Sequence, residues 1–199
     1  TLSKEPESQK KGVLVLVARL PFYRYETHLA LNSLKPEIIL HPAAFTQVDL
    51  AETNQSDADA INHLAVREIG KYARKNDVPV ILFSTDYVYN SSGSSPMSEN
   101  EPLNPQNFYG LSKKNGEQVL LDSGCPLIIL RTSWVFCHDG ANFLNSMLKL
   151  GKDRDALSIV SDQIGSPTSA SFLAEMTKTI LTSSPTAEES IKTNQGIYN

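Results

Sequence analysis

The first twelve residues (TLSKEPESQKKG) are polar and show no apolar period, so they are expected to form a flexible leader. The pattern then changes to unbroken apolar runs. GVLVLVA (12–18), EIILHPAAF (37–45), VPVILFS (78–84) and PLIIL (126–130) are rich in branched aliphatic residues and lack polar alternation, which predicts strands covered on both faces. Between them, ETHLALNSLKP (26–36) predicts a short helix ending before Pro36. Over residues 55–76, Ala58, Ile61, Leu64, Ala65, Ile69, Tyr72 and Ala73 recur at helical spacing and predict one long helix. Residues 107–121, 142–150 and 172–181 carry the same period, the last preceded by Ser and Thr residues suited to capping. The stretch 90–107, rich in Ser, Asn, Pro and Gly, predicts a loop with a mobile tip at 91–95. LSIVS (157–161) predicts another strand, 182–195 a flexible polar segment, and GIYN (196–199) the start of a strand.

Doubly covered strands alternating with helices imply parallel β-α-β units, hence an α/β fold with a doubly wound, Rossmann-like parallel sheet. Ligands of such sheets bind beyond the carboxyl ends of the strands. That rule directs attention to three strand exits, HPAAFT (41–46), STDYVY (84–89) and RTSWVF (131–136). There is no internal repeat.

Composition narrows the function. The chain has 199 residues, enough for one compact domain, with 40% hydrophobic and 20% charged residues. No apolar run is long enough to span a bilayer, so no membrane association is expected. A net charge of −4 gives no basic footprint for nucleic acid. The two cysteines, Cys125 and Cys137, form no Cys-x-x-Cys, and the histidines His28, His41, His63 and His138 have no ligand spacing, so no metal site is expected. A reducing cytoplasm is the expected location. The chain opens on Thr1, so its start is expected to be missing or processed.

The sharpest chemical pair is Tyr109 and Lys113 in YGLSK, four apart and therefore on one helix face. A tyrosine with an ordinary pKa near 10 is a poor acid-base group at neutral pH, and a neighbouring ammonium would lower that value. The spacing alone is weak, because an amphipathic helix with a half-buried Tyr and an exposed Lys produces it too. Upstream, Ser84-Thr85-Asp86 leaves an apolar strand, where a hydroxyl can hold a carbonyl oxygen. The simpler reading of Thr85 or Asp86 is a turn cap.

Together these segments resemble the extended short-chain dehydrogenase/reductase superfamily. HPAAFTQVDLAE (41–52), STDYVY, EPLNPQNFYGLSKKNGE (101–117), RTSWVF and DQIGSPT (162–168) are similar, in order and spacing, to the dTDP-4-dehydrorhamnose reductase family, over about residues 36–182. The resemblance implies reduction of the C4 ketone of dTDP-4-dehydro-L-rhamnose to dTDP-L-rhamnose with NADPH or NADH, for cell-surface polysaccharide. It implies that Tyr109 donates the proton, that Lys113 holds the nicotinamide ribose, and that Thr85 polarises the ketone. Asp86 and Trp134 would contact the sugar nucleotide, with a core tryptophan as the competing reading of Trp134. Ala43 and Ala44 would lie under the cofactor, and Thr46 would add a cofactor or loop contact. Asp49, Glu52, Glu99 and Glu101 read as solvated charges. Three parts are expected: a leader (1–12), a nucleotide-binding core (13–136), and a partial substrate-binding region (137–199) with a helix near 168–182 returning to the core. The family also implies a possible homodimer, sometimes with magnesium at its interface.

The chain departs from the family pattern: the segment before Lys35 is about twenty residues shorter than the resemblance implies, the strand that would select NADH or NADPH cannot be located, and the C-terminal substrate segments are not reached. No glycine lies between Gly12 and Gly70, so the glycine-rich turn that cradles a pyrophosphate after the first strand is absent. Arg19 and Arg24 are candidate replacement phosphate contacts. The alternative function is a non-catalytic regulatory or binding subunit of the same fold, like the methionine adenosyltransferase regulatory subunit.

Overall fold

The computed structural model describes residues 24–90, 95–140 and 142–199. The leader, the strand expected at 13–17, Arg19, the side chain of Arg24 and residues 91–94 of the loop tip lie outside the described residues.

The described residues open with α1 (Arg24–Leu34) and enter the sheet at β1 (Ile39–His41). Two short helices follow, α2 (Val48–Thr53) and α3 (Gln55–Asp59). A π turn (Ala60–Leu64) then leads directly into α4 (Ala65–Asn76) and β2 (Val80–Thr85). The helix expected over 55–76 therefore exists but is interrupted. A π turn widens one turn by a residue, which a periodicity of 3.6 does not reveal.

Past β2, a 3₁₀ turn (Asp86–Val88) opens the long loop, which ends at α5 (Phe108–Ser123). Two acceptors serve the open N–H groups at that helix start. Asn107 Oδ1 accepts from Gly110 N at 2.7 Å, and Glu52 Oε1 accepts from Phe108 N at 2.7 Å. Glu52 is thus a cap carried by α2 rather than a merely solvated charge. Next come β3 (Leu127–Thr132), β4 (Val135–Phe136) and α6 (Phe143–Asp153), then β5 (Thr168–Ser169), α7 (Ala170–Leu181), α8 (Ala187–Thr193) and β6 (Gly196–Tyr198).

The main sheet is parallel, in the order β1-β2-β3-β6. Its longest pairing runs from Val80↔Leu127 to Thr85↔Thr132. Alternation sends Val80, Leu82, Leu127 and Ile129 to one face, against Leu31, Val66, Ile69, Ala73 and Leu120 of α1, α4 and α5. Ile81 and Ile128 point the other way, against Ile180 and Leu181 of α7 and Ile191 of α8. Helices on both faces make the sheet doubly wound, as the unalternated apolar runs predicted. Among the described residues no helix is long and apolar enough to cross a membrane.

Two expectations fail. LSIVS (157–161) is not a strand, and Ile159 and Val160 are exposed. An apolar run becomes a strand only where a neighbour supplies the ladder. The segment 182–195 contains α8, fixed by two fully buried residues, Ser190 and Ile191. Thr186 caps it by accepting from Glu189 N at 3.1 Å. The T-x-x-E spacing of a capping box was present in the sequence but masked by the polar composition. GIYN does enter the sheet, as β6 beside β3.

Candidate active site

Parallel pairing brings the carboxyl ends of β1, β2 and β3 to one edge, so the three exits singled out above are neighbours. Helix α5 crosses this edge. Gly110 permits the approach, since a Cβ there would stand 2.2 Å from the Tyr87 carbonyl oxygen. Gly116 does the same against the π turn, with its Cβ 2.2 Å from the Asn62 carbonyl oxygen. These contacts set Tyr109 over the exit of β2.

Tyr109 is 9% exposed and meets Tyr87 edge-on, with ring centroids 5.6 Å apart. The Thr85 side chain lies beside its hydroxyl, close enough to oppose the rise in its pKa. Thr85 Oγ1 also accepts from Tyr87 N at 3.3 Å and donates to Asp86 Oδ1 at 3.2 Å. The turn cap and the tyrosine partner are therefore one residue. Asp86 Oδ2 accepts from Ser133 Oγ at 2.7 Å, which ties the exit of β2 to that of β3.

Lys113 is 4% exposed, and its Nζ donates to the Phe83 carbonyl oxygen at 2.8 Å. Burial lowers its pKa to about 8, against the opposing charge of Glu117. Burial also pushes Tyr109 up to about 12; the Thr85 side chain opposes the rise, and Asp86 and Tyr87 add to it. Lys113 is not among the groups that set the Tyr109 pKa, which is raised rather than lowered. The ammonium is turned to a backbone carbonyl, and desolvation dominates the phenol.

Ala43 and Ala44 lie half-buried at the exit of β1, and Thr46 is exposed. The adjoining backbone is held by a residue that the apolar pattern passed over. Asn62, 2% exposed, accepts from Phe45 N at 2.8 Å and donates to Phe45 O at 3.1 Å and to Ser112 Oγ at 2.9 Å. The signal was a polar residue inside the apolar stripe of the predicted long helix.

Trp134 is 41% exposed with φ 44°, so the core reading of this residue fails. Gly165 lies against its indole, where a Cβ would come within 2.7 Å of Cε2. This contact brings DQIGSPT to RTSWVF, and β4 and β5 pair alongside. Ser133 and Gly165 were in the quoted segments without a role.

A buried pair braces the other side of α5. Arg131 Nη2 donates to Glu117 Oε2 at 2.7 Å and its Nε to Oε1 at 3.1 Å. Arg131 Nη1 reaches the Tyr89 hydroxyl at 2.6 Å and the Glu99 carbonyl at 3.2 Å. Glu99 Oε1 accepts from Asn199 N at 3.1 Å, so Glu99 helps join the long loop to β6 rather than standing free in solvent. Among the described residues no group of His, Cys, Asp and Glu could hold a metal, and Cys125 and Cys137 are both free.

A doubly wound parallel sheet with a Tyr-x-x-x-Lys helix laid over its carboxyl edge, beside a threonine at the exit of its central strand, defines a protein of the extended short-chain dehydrogenase/reductase type. The family model for the RmlD substrate binding domain matches residues 23–198, and the chain belongs to that family. It is 42% identical over 147 residues to a dTDP-4-dehydrorhamnose reductase of Salmonella typhimurium, covering 73% of this chain and 49% of that protein. A second such reductase, from Burkholderia thailandensis, is 36% identical over 197 residues, covering 95% and 66%. Among solved structures, a Bacillus anthracis dTDP-4-dehydrorhamnose reductase in complex with NADP superposes with a TM-score of 0.77 at 31% identity, covering 88% of this chain and 60% of that one. The chain spans about half to two thirds of the length of these relatives.

Proposed function

We propose that this chain carries the catalytic half of a dTDP-4-dehydrorhamnose reductase, which reduces the C4 ketone of dTDP-4-dehydro-L-rhamnose to dTDP-L-rhamnose with NADPH or NADH. One observation carries the reading: Tyr109, Thr85, Asp86 and Lys113 converge at the carboxyl edge of the sheet. In this reading 13–136 is the nucleotide-binding core and 137–199 part of the substrate side. A homodimer working in a reducing cytoplasm belongs to the same proposal.

The residues present fit the nicotinamide end of a dinucleotide. Small side chains at Ala43 and Ala44 and the clamped Phe45 backbone leave room for close approach, and the Lys113 ammonium stands between α5 and β2 to meet a ribose hydroxyl. When bound, the nicotinamide supplies a hydride to C4. The chain's own residues do the rest. Tyr109 stays protonated at neutral pH, which suits a proton donor to the C4 oxygen. Thr85 and Tyr109 hydrogen-bond that oxygen and hold it most strongly as negative charge develops. The proton leaves Tyr109 as the C4 oxygen becomes a hydroxyl. Asp86, fixed by Ser133, accepts from a sugar hydroxyl, and the half-exposed Trp134 offers its face to the nucleotide sugar.

A fluorescence titration with NADPH and NADH, followed by a turnover assay on the keto-sugar nucleotide, tests the reading. Binding with turnover that Tyr109→Phe abolishes, the fold being retained by circular dichroism, is the expected result. Full activity in Tyr109→Phe would remove the acid role. Failure to bind either dinucleotide would favour the non-catalytic subunit, a reading supported by the missing glycines between Gly12 and Gly70.

A further inference from the structure

Two polar atoms under α5 have no place in the reductase reading. His41 ends β1, and its Nε2 is buried with no hydrogen-bond partner among the described residues. Ser84, one residue before Thr85 on β2, is 4% exposed, and its Oγ is equally unpartnered. His41 pairs with Leu82 in the parallel register, and Ser84 follows two residues later. Alternation puts both side chains on the face covered by α4 and α5. Strand spacing and rise place their Cα atoms roughly 8 Å apart, a gap that two side chains and one small molecule bridge. Lys113 enters the same layer from α5 with three ammonium donors, one of them directed at Phe83 O. Burial and the nearby Lys113 charge hold His41 neutral, with a pKa of about 3, so its ring can accept a hydrogen bond. The charged and titratable groups coupled to Lys113 are His41 from β1 and Glu117 from α5, with Arg131 of β3 compensating Glu117.

Buried polar atoms in folded proteins find a protein or water partner, and a trapped water needs two to four of them. We propose that His41, Ser84 and Lys113 enclose a buried site for one water molecule, which accepts from the Lys113 ammonium and donates to His41, making His41 a positioning residue for Lys113. Ser84 Oγ supplies the third contact. The site stands apart from the reductase reading, because it needs neither dinucleotide nor sugar.

Two measurements on the chain without ligands decide it. A high-resolution crystal structure should show one solvent peak within about 3.2 Å of both His41 Nε2 and Ser84 Oγ. A dry gap, or a His41 ring bonded elsewhere, would overturn the proposal. NMR titration of labelled lysine side chains should move the Lys113 midpoint about one pH unit lower in His41→Leu and return it in His41→Asn, which keeps an acceptor. An unchanged midpoint in His41→Leu, or equal falls in both variants, would reject the positioning role. If His41→Leu does not fold, the crystal structure of the unsubstituted chain still decides. Loss of turnover in the reductase assay would leave both readouts untouched.

Discussion

Lys113 and His41 are both held toward their neutral forms by burial, and each makes stability depend on pH. Moving Lys113 from 10.5 to about 8 corresponds to ~3 kcal/mol against the charged folded form at pH 7. Its hydrogen bond to Phe83 returns about 1 kcal/mol. Lys113→Met should therefore stabilise the chain by about 1–2 kcal/mol in urea unfolding at pH 7, while removing nicotinamide-ribose binding. Between about 8 and 10.5 the unfolded chain binds the extra proton, so the Lys113 contribution to stability rises with pH, and the Met variant should lose that slope. His41 acts at the acid end. Its folded pKa of about 3 lies below 6.5, so stability is full above 6.5 and falls as pH drops toward 3. Urea midpoints across that window should decline less steeply in His41→Asn. The sequence made Tyr109 and Lys113 legible because their spacing is fixed by one helix face. It could not show the direction of the tyrosine shift, since that depends on what covers the ring in three dimensions.

At the scale of elements, the placement of α5 rests on two glycines and one ion pair. Any side chain at 110 collides with the Tyr87 carbonyl, which is backbone and cannot swing aside. Gly110→Ala should lower stability by about 1–3 kcal/mol and reduce turnover by displacing Tyr109, as calorimetry and the keto-sugar assay would report. The Glu117–Arg131 pair is almost fully buried, with side chains 1% and 2% exposed. Arg131→Met alone strands a buried carboxylate and should cost about 3–5 kcal/mol, while Glu117→Leu with Arg131→Met should recover much of it. Urea unfolding of the single and double variants measures the difference. Strands and helices of the core were legible because their apolar period is set by the two faces they cover. β4 and β5 were not, because a two-residue strand has no period of its own. LSIVS misled for the complementary reason: its residues suit a strand, but no neighbour receives it.

Across the whole molecule, burial is uneven. The sheet and its covering helices hold most of the fully buried residues, whereas α6 and residues 154–167 leave Phe143, Leu148 and Ile164 more than half exposed. Amide exchange should follow this division: β2 and β3 protected longest, residues 154–167 exchanging fastest. Equal rates in the two regions by mass spectrometry would contradict it. The fold class was visible in the order of apolar runs, but the meeting of RTSWVF with DQIGSPT was not, since twenty-five residues lie between them and their close approach at Trp134 depends on the missing side chain of Gly165.

The π turn ties these scales together. Its extra residue rotates everything upstream relative to α4, and that angular offset turns the Asn62 amide toward Phe45. The short wide coil thus works like a vernier between two rigid parts. Deleting one of its residues would leave a straighter, more regular cylinder whose amide no longer meets the loop beside the catalytic edge. A change that improves the helix by every local measure would cut the site loose from its scaffold.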